Sequence, residues 1–330
     1  MNTLYPLKFK PIYKEKIWGG SKIKTLLNKN ISDLQNCGES WEISGVEENI
    51  SMIENGFLKN NNLQEIIEVY MGDIVGDAVY EKFGNEFPLL IKFIDANDNL
   101  SVQVHPNDEL AKERHSANGK TEMWYIINAE KGAQLISGFN NGIDKNIYLK
   151  NLKNNTLTDI LNFEDVSNND VFFIPAGRVH ATGKGILLAE IQQTSDVTYR
   201  IFDWNRKDSN GKSRELHTDL AIDALDFSHH NDYKTEYTKK NNESSKLIDC
   251  QYFTTNILEF DKELEKDYNL IDSFVIYMCI EGSYSIKYNE NDEINISKGE
   301  TVLLPAVIEN VSLIPCEKTK ILEVYLSFED

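Results

Sequence analysis

Short runs in which apolar and polar residues alternate dominate the chain, rich in β-branched and aromatic side chains and split by Gly, Asn and Asp. A period of two is the mark of strands with two distinct faces. Strands are therefore predicted at 42–44, 87–94, 100–104, 123–127, 170–174, 186–192, 274–280, 284–288, 300–304 and 321–328. Helical spacing is the minority pattern: 63–83 predicts one helix, and 108–115 and 219–225 predict shorter ones. The balance is a mainly β protein with a smaller set of interspersed helices.

The strand pattern repeats. Asn169 followed by Pro175-Ala176-Gly177-Arg178-Val179-His180 is matched, at one constant offset, by Gly299 followed by Pro305-Ala306-Val307-Ile308-Glu309-Asn310. Upstream, Ala129-Glu130-Lys131-Gly132 is echoed by Ile280-Glu281-Gly282. Two echoes in the same order point to a duplicated β-barrel. The second copy has Asn310 where the first has His180, so the first is the expected seat of chemistry. The polar stretch 234–246 is the expected linker. The chain then divides into 1–235, a barrel with helical insertions, and 236–330, a second barrel, with N-terminal strands able to cross between them.

Length and composition suit two globular units: 330 residues, 41% hydrophobic and 26% charged. A net charge of −19 excludes the basic footprint of a nucleic-acid binder and disfavours anionic membrane surfaces. An anionic substrate must be met by a local cationic pocket against that field. No apolar run is long enough to span a membrane, and the opening MNTLYPLKFK lacks a signal-peptide core, so a cytoplasmic location is expected. The four cysteines form no C-x-x-C pair and read as reduced thiols. No strand is followed by G-x-G-x-x-G, which removes the main support for a nucleotide-binding fold.

The candidate chemistry begins at Leu100-Ser101-Val102-Gln103-Val104-His105-Pro106. Strand alternation puts Gln103 and His105 on one face and Val102 and Val104 on the other. Alone, such a pair is as well explained by hydrogen bonding at a strand end. Glu122, at the start of another strand, and His180, after the Pro175-x-Gly177 turn, change the balance. Two imidazoles, one carboxylate and one neutral oxygen suit a borderline divalent cation. Zn²⁺ is the first choice, with Mn²⁺, Fe²⁺ or Co²⁺ able to occupy such a site. The run 95–99 starts like an EF-hand loop but has Leu100 and Pro106 where that loop needs Gly and Glu. His229-His230 reads as surface loop.

Together these residues resemble a cupin: Pro175-x-Gly177-x-x-His180 matches its second motif, and Gln103-x-His105 with Glu122 is a variant of the first. More narrowly, the chain resembles the short bacterial form of the type I mannose-6-phosphate isomerase family. The resemblance rests on I-W-G-G from Ile17, G-E-S-W-E from Gly38, Q-V-H-P from Gln103, K-T-E from Lys120, P-A-G-R-V-H-A from Pro175, E-I-Q-Q-T-S-D from Glu190 and T-Y-R-I-F-D from Thr198. It implies two cupin-like β-barrel (jelly-roll) units, the second metal-free. It also implies one zinc ion per chain, held by Gln103, His105, Glu122 and His180, the set reached from side-chain chemistry. Arg200 matches an arginine implicated in catalysis. At Thr182 some longer members carry a tyrosine, whose role does not transfer.

The implied reaction interconverts D-mannose 6-phosphate and D-fructose 6-phosphate through a cis-enediol. It needs a base at C1–C2, an electrophile for the enediolate oxygen, and a phosphate anchor. Glu190 is the candidate base, since a carboxylate in a partly dry barrel can be tuned to accept a proton near neutral pH. Lys120, two residues before Glu122, is the candidate enediolate stabiliser or acid. Lys92, Ser101 and Arg200 are the candidate substrate contacts. Trp18 and Trp41 read as core. The expected partner is a small phosphosugar, with no nucleic acid or membrane, and the chain is expected to be a monomer or weak homodimer. The alternatives are a sugar-binding or sensing cupin with a structural metal, or another cupin sugar isomerase.

Overall fold

The computed structural model describes residues 3–207, 211–290 and 292–328. Four antiparallel sheets form two barrels. In the first, a six-stranded sheet runs Val171–Ile174, Glu122–Ala129, Ile186–Gln193, Leu89–Ala96, Cys37–Ser44, Ile12–Gly20. It faces a five-stranded sheet ordered Tyr199–Phe202, Val102–Val104, His180–Ala181, Gln134–Phe139, Leu161–Asp165. The second barrel has a seven-stranded sheet, Ser244–Asp249, Thr254–Phe260, Thr319–Tyr325, Val275–Glu281, Thr301–Leu304, Leu7–Lys10, Met52–Ile53. Its partner sheet runs Leu264–Asp267, Asn310–Pro315, Ser283–Lys287, Glu293–Ser297.

The two strand orders correspond. Thr301–Leu304, Val275–Glu281, Thr319–Tyr325 and Thr254–Phe260 repeat the neighbour relations of Val171–Ile174, Glu122–Ala129, Ile186–Gln193 and Leu89–Ala96. The turns correspond too. Asn169 (φ 72°) and Gly299 (φ 85°) take the same left-handed conformation, which asparagine tolerates and glycine adopts freely.

Every residue of Ile186–Gln193 is buried, yet the strand alternates. Ile186 and Leu188 pack inside the first barrel with Trp124, Ile126 and Phe172. Leu187, Ala189 and Ile191 point the other way and join Ile257, Ile276, Met278, Leu322 and Val324 of the second barrel in the largest core. The two large sheets thus share one apolar layer. A third core, with Leu258, Phe260, Tyr277 and Tyr284, fills the second barrel.

The helix expected over 63–83 is broken into Leu63–Tyr70, Gly72–Val75 and Asp77–Phe83, at Met71 (φ 48°) and Gly76 (φ 95°). The breaks turn backbone groups toward the second barrel. Asp272 accepts from the amides of Asp77 (2.7 Å) and Ala78 (2.8 Å), and the Ala306 amide donates to Ile74 (3.0 Å). A side chain on Gly76 would meet the Asp272 carbonyl at 2.4 Å. The helix Asp108–His115 forms as its spacing predicts, and that expected over 219–225 spans Thr218–Ala224. Lys145–Asn154 went unpredicted, since Tyr148 is its sole buried residue. The stretch 234–246 is tied at both ends: Phe172 bridges Lys234, and Asn241 bridges Glu259. No helix among the described residues is long and apolar enough to cross a membrane.

Candidate metal centre and active site

Two facing sheets of the first barrel supply the site. Gln103 lies directly across from His180 in the five-stranded sheet. His105 follows the same strand, and Glu122 opens a strand of the six-stranded sheet. His105, Glu122 and His180 are all at or below 1% exposure. Each histidine has its Nδ1 2.9 Å from a backbone carbonyl, that of Val197 for His105 and Arg178 for His180. That bond places the proton on Nδ1 and leaves Nε2 as a bare acceptor. Both Nε2 atoms point at Glu122, 3.6 Å and 3.3 Å from its carboxylate oxygens. The Gln103 amide is 3.4 Å from one and 3.1 Å from the other, and its oxygen reaches the same place by a half-turn of the amide.

The donor set fits a cation. Neither Glu122 oxygen has a hydrogen-bond partner, although both are buried. Burial, with Glu190 nearby, pushes the Glu122 carboxyl up to about 7, and burial pushes His180 down to about 4 and His105 well below its usual value. Two neutral imidazoles, a carboxylate and an amide converge, and Glu122 has nothing beyond the ion pair with Lys120 at 3.4 Å to balance it. A positive ion supplies what the protein leaves out.

Beside the four ligands lies a second polar group. Lys92 stands across from Glu190 in the sheet and donates to its Oε1 at 2.9 Å and to Gln192 at 2.6 Å. The indole of Trp124 donates to the other Glu190 oxygen at 2.9 Å. Burial alone would raise the Glu190 carboxyl, but Lys92, Lys120 and Trp124 outweigh it and hold it below the usual range. The upward tuning expected from burial is therefore reversed by the cations. Lys120 is buried, 3.4 Å from Glu122. Gln192 and Trp124 were not anticipated, though strand alternation from Glu190 and Glu122 puts them on these faces. Trp18 and Trp41 are buried as expected, Trp41 with Lys92 5.3 Å over its ring.

On the far side of the ligands Arg200 pairs in register with Gln103, at a β-bulge between Arg200 and Phe202. Its guanidinium donates to Ser101 Oγ (3.3 Å) and to the Glu215 carbonyl (2.9 Å). All nine anticipated residues thus belong to one barrel.

The second barrel carries other groups at the corresponding positions. Asn310 lies across from Asp267 as His180 lies across from Gln103. Val275 sits opposite Leu304, where Glu122 sits opposite Ile174. Glu323, flanked by Tyr277 and Asn256, repeats Glu190 flanked by Trp124 and Lys92. Its carboxylate is filled by Tyr268 (2.6 Å), Lys266 (2.7 Å) and Asn256 (2.9 Å). The described residues of this barrel bring no candidate ligand cluster together.

Residues 6–135 match the family model for the catalytic domain of phosphomannose isomerase type I, and 243–317 match the mannose-6-phosphate isomerase cupin domain. The chain is 38% identical to mannose-6-phosphate isomerase ManA of Bacillus subtilis, over 76% of this chain and 78% of that one. It is 38% identical to mannose-6-phosphate isomerase of Streptococcus mutans over 67% of each. A crystal structure of mannose 6-phosphate isomerase from Bacillus subtilis superposes with a TM-score of 0.87 at 31% identity, covering 97% of this chain and 99% of that one. In sequence, in barrel architecture and in the His-Glu-His cluster at its centre, the chain belongs to the type I phosphomannose isomerases.

Proposed function

We propose that this chain interconverts D-mannose 6-phosphate and D-fructose 6-phosphate through a cis-enediol, using one Zn²⁺ held by Gln103, His105, Glu122 and His180. The observation that carries the reading is the buried Glu122 carboxylate, neither oxygen of which accepts a hydrogen bond, facing two imidazole Nε2 atoms beside a buried lysine–glutamate pair. Two nitrogens and two oxygens suit zinc. When bound there, the ion supplies Lewis acidity to the substrate's carbonyl and enediolate oxygens.

The chain's own residues carry the proton. Glu190 takes it from C2 of the aldose and returns it to C1, while a second proton passes from the O2 hydroxyl to O1 so that the carbonyl moves from C1 to C2; each carboxylate oxygen keeps a second lone pair beyond the donors it accepts. Lys92 and Trp124 fix its direction. Lys120 stabilises negative charge on the enediolate, and Arg200, with Ser101, steadies the reacting end. The test is a coupled assay following fructose 6-phosphate from mannose 6-phosphate, before and after a chelator and after zinc is restored. Turnover that survives complete metal removal would sink the zinc assignment. Sugar phosphate binding without turnover in the zinc-loaded protein would instead favour a sensing cupin.

A further inference from the structure

Gln192 follows Glu190 by two residues, so it shares the inner face of the first barrel with that acid. It stands directly across the sheet from the ligand Glu122 and is fully buried. A buried amide is costly unless its hydrogen bonds are met, and an apolar side chain would fill the space without that demand. Here they are met, and the partners permit one orientation. The Lys92 ammonium, a donor only, lies 2.6 Å from Oε1. The carbonyls of Gln193 and Ser195, acceptors only, take bonds from Nε2 at 2.8 Å and 2.7 Å. Turning the amide over would set oxygen against two oxygens and nitrogen against an ammonium.

The two ends of the amide lead to different parts of the site. Lys92 also donates to Glu190 Oε1 at 2.9 Å, so Gln192 and Glu190 hold the ammonium between them. On the other side, Ser195 lies two residues before Val197, whose carbonyl stands 2.9 Å from His105 Nδ1 and fixes the tautomer of that ligand. Thr194 ties the same turn to the carbonyls of Pro88 (2.8 Å) and Phe87 (2.6 Å), at the approach to the strand Leu89–Ala96. Gln192 supplies the tie from inside the barrel. In the second barrel the corresponding residue is Tyr325, two after Glu323 and across from Thr254 as Gln192 is across from Leu90. Its hydroxyl is 3.5 Å from Asn256, the counterpart of Lys92. The amide is thus present where ligands gather and replaced where, among the described residues, they do not.

We propose that Gln192 is a positioning residue shared by the metal centre and the proton-transfer group, holding His105 through the 193–197 turn and Lys92 against Glu190. The assignment deepens the reading above, and its metal arm is measured without turnover. Gln192→Met keeps the length of the side chain and removes its hydrogen bonds at both ends. Lys92→Met removes one arm and leaves the bonds to the two carbonyls. Zinc affinity is read by competition with a chromophoric chelator, beside Tm and, at saturating zinc, kcat and KM with mannose 6-phosphate. Gln192→Met should weaken zinc binding and lower kcat, each roughly tenfold to a hundredfold, with KM within a few-fold. Lys92→Met should lower kcat without weakening zinc.

Gln192→Asn, which stays polar but is one methylene too short to span both ends, keeps the test open if the methionine variant misfolds. It should lose at least several-fold in zinc affinity or in kcat. Folded Gln192 variants with wild-type zinc affinity would overturn the proposal even if Tm falls. So would a loss of zinc in Lys92→Met equal to that in Gln192→Met, since the metal effect would then run through the lysine. Zinc weakened by Gln192→Met in a protein inert toward mannose 6-phosphate would uphold the metal arm and remove the isomerase reading.

Discussion

His105 and His180 are aimed by main-chain carbonyls, so their geometry depends on no other side chain. His105→Ala or His180→Ala should abolish metal content and activity together, whereas Gln103→Ala should only weaken metal binding; elemental analysis alongside the assay separates the cases. Arg200→Ala should lower kcat about a hundredfold to a thousandfold with little change in KM or zinc content, as for loss of one transition-state contact. Unchanged turnover in folded, zinc-loaded protein would falsify that role. Asp203 gives a pH signature. Burial favours its neutral form, but bonds from Arg214 and Arg206 hold the carboxyl below the usual range. Its ion pairs therefore stabilise the fold fully above the unfolded carboxyl value and lose that effect as pH falls through the depressed one. Asp203→Asn should lower Tm at pH 7, the gap to wild type closing only as pH falls below the ordinary carboxyl range. The His105–Glu122–His180 cluster was legible because polar residues on an apolar strand are conspicuous. The pairing of Arg206 and Arg214 with Asp203 was not, because in sequence they are ordinary charges in a polar loop.

Among the elements, the turn after Pro175 does more than reverse the chain. The Gly177 amide donates to the His105 carbonyl at 2.9 Å, linking one ligand to the turn that delivers another. Gly177 has φ 91°, and an added Cβ would stand 3.0 Å from the Ala224 carbonyl. Gly177→Ala should cost about 1–3 kcal/mol, seen as a lower Tm, and loosen metal binding as well. If metal affinity holds while Tm falls, the turn is only a turn. Strands were legible from period-two alternation even where both faces are buried, since Glu190 and Gln192 mark one face of Ile186–Gln193. The breaks at Met71 and Gly76 were not, because their cause, Asp272 and the 305–307 turn, lies far along the chain.

At the scale of the molecule, duplication was legible from two short echoes, and the replacement of His180 by Asn310 in the second barrel from their constant offset. The shared apolar layer was not, since it needs both sheets in place. Deleting 247–330 would bare Ile91, Phe93, Leu187 and Ile191, and an insoluble or unstable product is expected; a soluble, fully active 1–246 fragment would show the layer to be dispensable. Elemental analysis should find about one metal per chain, and two would mean the second barrel also binds. The strand Leu7–Lys10 carries a consequence in time. Its partner across the ladder is Thr301–Leu304, a segment synthesised nearly three hundred residues later. At about 5–20 residues per second that wait is on the order of 15–60 s, during which Phe9 has only the short strand at Ile53 to pair with and Leu7 has no partner. The first barrel, whose strands all lie between Ile12 and Phe202, can close while the second still waits for Thr301–Leu304 and Thr319–Tyr325, so its outer apolar sheet face stays bare for that interval.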